Sequence, residues 1–313
     1  MSVLASGTTP GVADVMPTPI VPPRVVNGNT LNLRAVPESV SRVAFPLVPH
    51  EWNRLDLEYP RIQRVLEVPE GFEVALTTTG LLVRTDDADA WGYVTLETAS
   101  QPLRVTLLAT TPFGEMVDGR IEGYSIGNYR QEPLNGLPSY ERPTGFVRLT
   151  KEKEDVWISD HYRLRDMQCK QEGDPRFLVV RPEALIKLEL LQDRFTAETG
   201  FRFDRFTIMS AYRTPHYNAR IGNETTYSRH LYGDGLDVYI DRDGDSKMDD
   251  LNGDGRIDER DAVMLMETAA RIDASPEWEW IKGGAGVYRR NHAHGPYLHI
   301  DTRGFVARWG VPN

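Results

Sequence analysis

Two short runs in the C-terminal half carry the clearest alternation of apolar and polar positions. In one, Leu236, Val238 and Ile240 alternate with Gly235, Asp237 and Tyr239. In the other, Leu298 and Ile300 alternate with Tyr297, His299 and Asp301. A period of two puts successive side chains on opposite faces of a strand. Each run therefore predicts a strand with an apolar back and a polar front. Asp237 and His299 both fall on the fronts, so two such strands together would bring them over one sheet face.

Other periods surround these runs. Leu185, Leu188, Leu191 and Phe195 recur at helical spacing and give a core-facing stripe. Pro182 suits the first turn of that helix, and Gly200 suits its end. A second helix is expected over 261–272, DAVMLMETAARI, and RFTIMSAY (205–212) reads as a strand leading to Arg213. Towards the N-terminus the runs 72–76, 81–85, 91–98 and 103–111 are short, β-branched or aromatic, and separated by turn-type clusters. Strands at such intervals suggest a small sandwich or barrel. Residues 1–36, rich in Pro, Thr, Val and Gly, have neither a charged nor an apolar signal-peptide region and read as a disordered leader or linker. The expected division is thus 1–36 leader, 37–150 small all-β domain and 151–313 α+β domain.

Composition narrows the partners. A chain of 313 residues with 40% hydrophobic content has room for two packed domains. Its net charge of −10 argues against nucleic-acid binding, which needs a basic footprint. No stretch reads as membrane-spanning. Cys169 is the single cysteine, so an intrachain disulfide is excluded, and it reads as a small buried hydrophobe.

The candidate chemistry lies in the α+β half. His230 and Asp237 stand seven residues apart with Gly233 and Gly235 between them, and His299 follows near the C-terminus. Two imidazoles and one carboxylate are a zinc-binding set that leaves a fourth position for water. Between the two runs lies an acidic insertion over 241–261. Asp250, Asn252, Asp254, Arg256, Asp258 and Asp261 follow an EF-hand-like spacing, with Gly255 at the sharp turn and Ile257 after it. Oxygen ligands at alternate positions suit Ca2+, although position 12 is Asp in place of the usual Glu. Asp241, Asp243, Asp245 and Asp249 begin a second, overlapping calcium loop without a proper last position. The expected role of calcium is structural, because the insertion follows the strand that carries Asp237.

The motif Ser228-x-His230-x-x-Gly233-x-x-x-Asp237 resembles the signature of the zinc D-Ala-D-Ala carboxypeptidases and murein endopeptidases, whose fold is shared with the hedgehog signalling domain. The upstream Ser210-x-Tyr212-Arg213-Thr214-Pro215-x-x-Asn218 and the closing HIDTRGFVARWG resemble that family's companion motifs. The resemblance runs from about Ser159 to Asn313, and the acidic insertion resembles a dockerin-type loop. It implies a hedgehog-type metallopeptidase domain behind the all-β domain, with His230, Asp237 and His299 on Zn2+. It implies hydrolysis of peptidoglycan stems or crosslinks by metal-activated water, in the periplasm or outside the cell. Arg213 and Ser228 would then bind substrate, Arg213 at a peptide carboxylate or at the developing oxyanion. Relatives place their general base at the positions held here by Pro296 or Tyr297. Asp301 is left, either as the base or as a partner that orients a ligand imidazole. The alternative function is a zinc- and calcium-stabilised cell-wall binding protein without turnover.

Overall fold

The computed structural model describes residues 27–310. Residues 1–26 of the expected leader lie outside the described residues, but the end of that stretch does not behave as a leader. Thr30–Leu33 form a strand that pairs in parallel with Asn53–Leu57. Leu31 and Leu33 are buried under it. The β-rich part therefore begins ahead of the expected boundary at 37.

Two larger sheets make up this part, beside a two-stranded one of Arg120–Ile121 and Tyr124–Ser125. A four-stranded sheet runs Thr30–Leu33, Asn53–Leu57, Gly80–Arg84, Glu73–Leu76. A larger sheet is centred on Leu103–Pro112, which pairs with Trp91–Thr98, with Arg42–Leu47 and with Gly145–Leu149. The four strands expected from sequence all form, and five more join them: Thr30–Leu33, Arg42–Leu47, Asn53–Leu57, Ile62–Glu67 and Gly145–Leu149. Arg176–Leu178, beyond the expected boundary at 150, extends the larger sheet by pairing with Gly145–Leu149. Ala44, Leu108 and Phe146 share one buried cluster with Leu188, Val238 and Ile300, so the apolar core is continuous across that boundary.

The C-terminal sheet has the strand order Thr207–Ser210, Leu236–Tyr239, Tyr297–Ile300, Gly284–Tyr288, Ala307–Trp309. Its back is the apolar set foreseen in the alternation: Leu236, Val238, Ile240, Leu298 and Ile300 are all within 1% of full burial. Two helices, Pro182–Thr199 and Glu259–Ala274, share their buried cluster with that back. Helix α1, Pro182–Thr199, starts at its proline and ends on Gly200 in the left-handed conformation at φ 74°. Helix α2, Pro215–Arg220, is a short turn capped by the Thr214 hydroxyl, which accepts from the Tyr217 amide. Helix α3, Glu259–Ala274, begins at the end of the acidic insertion and is capped by Asp258. Leu185, Leu188, Leu191 and Phe195 of α1 are buried as their spacing required. Each such side chain contributes about 1.5–3 kcal/mol relative to exposure. With the helices on one face, the other face is left for chemistry.

Candidate metal centre

Asp237 and His299 are directly paired residues on adjacent antiparallel strands. His299 Nδ1 lies 2.8 Å from Asp237 Oδ1. His230 comes from elsewhere, on the 3-10 turn Arg229–Tyr232 that precedes the Asp237 strand. Gly233 ends that turn at φ 79°, where a side chain would be strained. The chain then doubles back so closely that a Cβ on Gly235 would sit 2.8 Å from the His230 amide nitrogen. This tight return sets His230 Nε2 3.2 Å from Asp237 Oδ2. All three side chains are buried, and one ligand atom from each lies within 4.8 Å of the others. Among the described residues, no fourth His, Cys, Asp or Glu joins the set.

The hydrogen bonds around the imidazoles decide which nitrogens face inward. His230 Nδ1 donates to the Ala211 carbonyl at 2.7 Å, which leaves the Nε2 lone pair pointing at Asp237. A lone pair and a carboxylate oxygen 3.2 Å apart repel unless a cation lies between them. His299 is turned the other way round. Its Nε2 donates to Asp301 Oδ2 at 3.2 Å and its Nδ1 faces Asp237. Each imidazole thus has one nitrogen tied to an oxygen acceptor and the other directed to the common centre, as neutral metal ligands require. The donor set fits a zinc ion.

The buried carboxylate and the two imidazoles shift one another's protonation. Burial pushes the Asp237 carboxyl up, but His230 and His299 outweigh it and hold the carboxyl far below its usual range. Burial pushes His299 down, yet its bonds to Asp237 and Asp301 win and raise it to about 9. Burial lowers His230 below its ordinary value against the pull of Asp237.

Arg213 stands at the same centre. Its Nη2 donates to Asp237 Oδ2 at 2.8 Å, and its Nε donates to the Ser210 hydroxyl at 2.8 Å. The Ser210 contact is a feature that sequence reasoning did not assign, although Ser210 was part of the motif. Ala211 had no sequence signal at all, because its contribution to His230 is a main-chain oxygen. Ser228 is buried at the head of the His230 turn, where its carbonyl accepts from the Leu231 amide. His294 packs edge-on against Tyr297, which in turn stacks flat on Tyr288 at 4.6 Å between ring centres.

Asp301 does not reach the common centre. It lies on the far nitrogen of His299 and is 1% exposed. Its oxygens also accept from the Gly284 and Arg303 amides and from the Arg303 guanidinium at 2.5–3.0 Å. Of the two roles expected for it, these contacts match the orienting partner and leave no oxygen free for a proton from solvent.

Both stretches of the acidic insertion turn side-chain oxygens onto main-chain amides: Asp241 accepts from Gly244 and Ser246, Asp243 from Asp245, and Asp245 from Lys247. Asp241, Asp243 and Asp245, which open the second of the two expected calcium loops, bring their carboxylates within 4.8 Å of one another. Asp249 instead accepts from the Arg242 amide. The loop from Asp250 is folded in the same way. Asp250 accepts from Gly253, Asp254 and Gly255, Asn252 from Asp254, and Asp254 from Arg256. Asp258 caps α3, and the fully buried Asp261 accepts from Leu251, Asn252 and Asp258.

Among the described residues no helix is long and apolar enough to cross a membrane. No protein-family model, curated protein or solved structure matches the chain.

Proposed function

We propose that the protein is a zinc-dependent peptidase that cuts peptide stems or crosslinks of peptidoglycan, acting in the periplasm or outside the cell. The observation that carries the reading is the convergence of His230 Nε2, an Asp237 carboxylate oxygen and His299 Nδ1 on one point, with Arg213 beside it. Three protein ligands without a fourth are the arrangement of catalytic zinc sites rather than structural ones. The motifs around Arg213, His230 and His299 point to the same substrate class.

His230, Asp237 and His299 would hold the zinc. Bound there, the ion would lower the pKa of water and polarise the scissile carbonyl. Ser210 and Asp237 hold the Arg213 fork beside the ligands, where it can receive a substrate carboxylate or the charge that develops on the carbonyl oxygen. Asp301 keeps His299 turned with Nδ1 inward. The carboxylates of the 241–261 insertion would hold calcium as a structural ion ahead of α3.

One observation favours the reading without turnover. With Asp301 locked behind His299, no carboxylate is available as general base among the residues assembled here. A cell-wall binding protein stabilised by zinc and calcium would need none. Purified sacculi digested with the protein, with and without chelator, separate the two readings by muropeptide chromatography. Loss of crosslinked dimers, or shortening of stems, that chelation prevents supports the peptidase. Retention on sacculi with an unchanged muropeptide profile supports the binding protein.

A further inference from the structure

Beneath the metal centre a lysine is buried in the core. Lys187 of α1 and Asp273 of α3 are each 1% exposed at the side chain, and their charges meet at 2.8 Å. The Asp273 carboxylate is further held by the Arg308 guanidinium at 2.6 Å and the Gly283 amide at 3.2 Å. Removing two charges from water is expensive, and an apolar pair of the same volume is often as stable or more so. Stability alone is therefore a weak reason for this lysine. Its remaining contact supplies a better one. Lys187 Nζ also donates to the Asp301 main-chain oxygen at 3.0 Å.

That contact falls at the end of the sheet, where the Asp301 amide keeps one main-chain bond, to the Gly284 carbonyl at 3.1 Å, and the Asp301 carbonyl turns to Lys187. The strand carrying His299 ends at Ile300, so Asp301 is the first residue beyond it. Yet the Asp301 carboxylate must stay on His299 Nε2 if Nδ1 is to face Asp237. We propose that Lys187 is a positioning residue for His299, clamping the main chain at Asp301 from beneath the sheet. The inference rests on the metal-centre reading above, and not on the substrate assigned to it. A line of contacts then joins α3 to the ligand: Asp273 to Lys187, Lys187 to the Asp301 carbonyl, and the Asp301 carboxylate to His299.

The test uses the full chain with zinc or cobalt added. Lys187→Met leaves Asp273 paired with Arg308 and Gly283. Lys187→Met/Asp273→Leu removes the buried pair altogether, and decides the matter if the single variant does not fold. Zinc affinity by chelator competition is expected to fall about 10-fold or more in both, the range for contacts behind a metal ligand. The visible absorption of the cobalt form is expected to shift, because His299 reorients. The double variant should melt below the wild type, because the Arg308 guanidinium and the Gly283 amide lose Asp273, but fold cooperatively. A folded variant with wild-type zinc affinity and wild-type cobalt spectrum overturns the proposal. A wild-type protein that binds neither metal overturns the metal-centre reading, and this inference falls with it.

Discussion

Asp237 and His299 are 62 residues apart in sequence and face each other across one rung of an antiparallel ladder, with Nδ1 and Oδ1 at 2.8 Å. The rung fixes two of the three proposed zinc ligands on rigid backbone, and the third is delivered by a turn pinned at Gly233 and Gly235. Sites placed on paired strands hold their geometry better than sites placed on loops. From this arrangement several outcomes can be stated.

Asp237 touches both imidazoles and Arg213, so its loss should be the most damaging of the ligand changes. Asp237→Ala is expected to abolish zinc binding and to reduce peptidase activity to background. Metal analysis of the purified variant checks the first, and sacculus digestion the second. Retained stoichiometric zinc in Asp237→Ala would contradict the ligand assignment.

Arg213→Lys keeps a positive charge but loses the fork that spans Ser210 and Asp237. Zinc content should stay at the wild-type level while kcat/KM falls by about 10²–10³, the usual effect of losing an oxyanion donor. A variant with full activity would remove Arg213 from the chemistry.

Asp301→Asn separates two roles. As the orienting partner of His299, its loss should weaken zinc binding about 10- to 100-fold. As a general base, its loss would leave affinity intact and lower kcat by about 10²–10⁴. The contacts of Asp301 predict the first pattern, measured by chelator competition alongside kinetics.

The metal-free protein should show a pH signature of its own. His299 is raised to about 9 in the fold, above its unfolded value of 6.5. Its contribution to stability is therefore complete below about 6.5 and is lost as pH rises through about 9. Asp237 is depressed below its unfolded value of 3.8, so its contribution is present above that value and is lost as pH falls further. His230 is lowered below its unfolded value of 6.5 and so costs stability as pH falls beneath that value, which places the highest melting temperature of the chelated protein near 6.5. Zinc must displace the His299 proton, so affinity should rise about 10-fold per pH unit between 7 and 9. Titration in buffers of different ionisation enthalpy would detect the released proton. An affinity independent of pH in this range would show that His299 is already neutral.

Among the described residues Asp243 accepts from the Asp245 amide alone, so truncating it costs the calcium-free loop little. If the 241–245 carboxylates hold calcium, Asp243→Ala should remove the calcium-dependent rise in melting temperature and leave zinc affinity unchanged. That rise corresponds to about 2.7 kcal/mol at calcium a hundredfold above its dissociation constant. Differential scanning calorimetry with and without calcium gives the answer.

The parts of this fold that were legible in the sequence are those set by local period. Leu236, Val238 and Ile240 announced both their strand and the face on which Asp237 lies. Pro182 and Gly200 marked the ends of α1. What stayed hidden depends on contacts between distant residues. Thr30–Leu33 is short and follows a proline-rich stretch, and it becomes a strand only through parallel pairing with Asn53–Leu57. Lys187 sits among apolar neighbours on α1, and its partners lie 86 and 114 residues away. The place of Asp301 behind His299 depends on Arg303 and Gly284 drawing its carboxylate aside, which alternation along one strand does not reveal. In the acidic insertion, spacing singled out the carboxylates but not that those of Asp241, Asp243 and Asp245 converge.

The most direct test of the central claim is the zinc K-edge absorption spectrum of the zinc-loaded protein. The account predicts two imidazole nitrogens, one carboxylate and the remaining position filled by solvent. A closed shell of four protein ligands, or zinc bound without the two imidazoles, would contradict it.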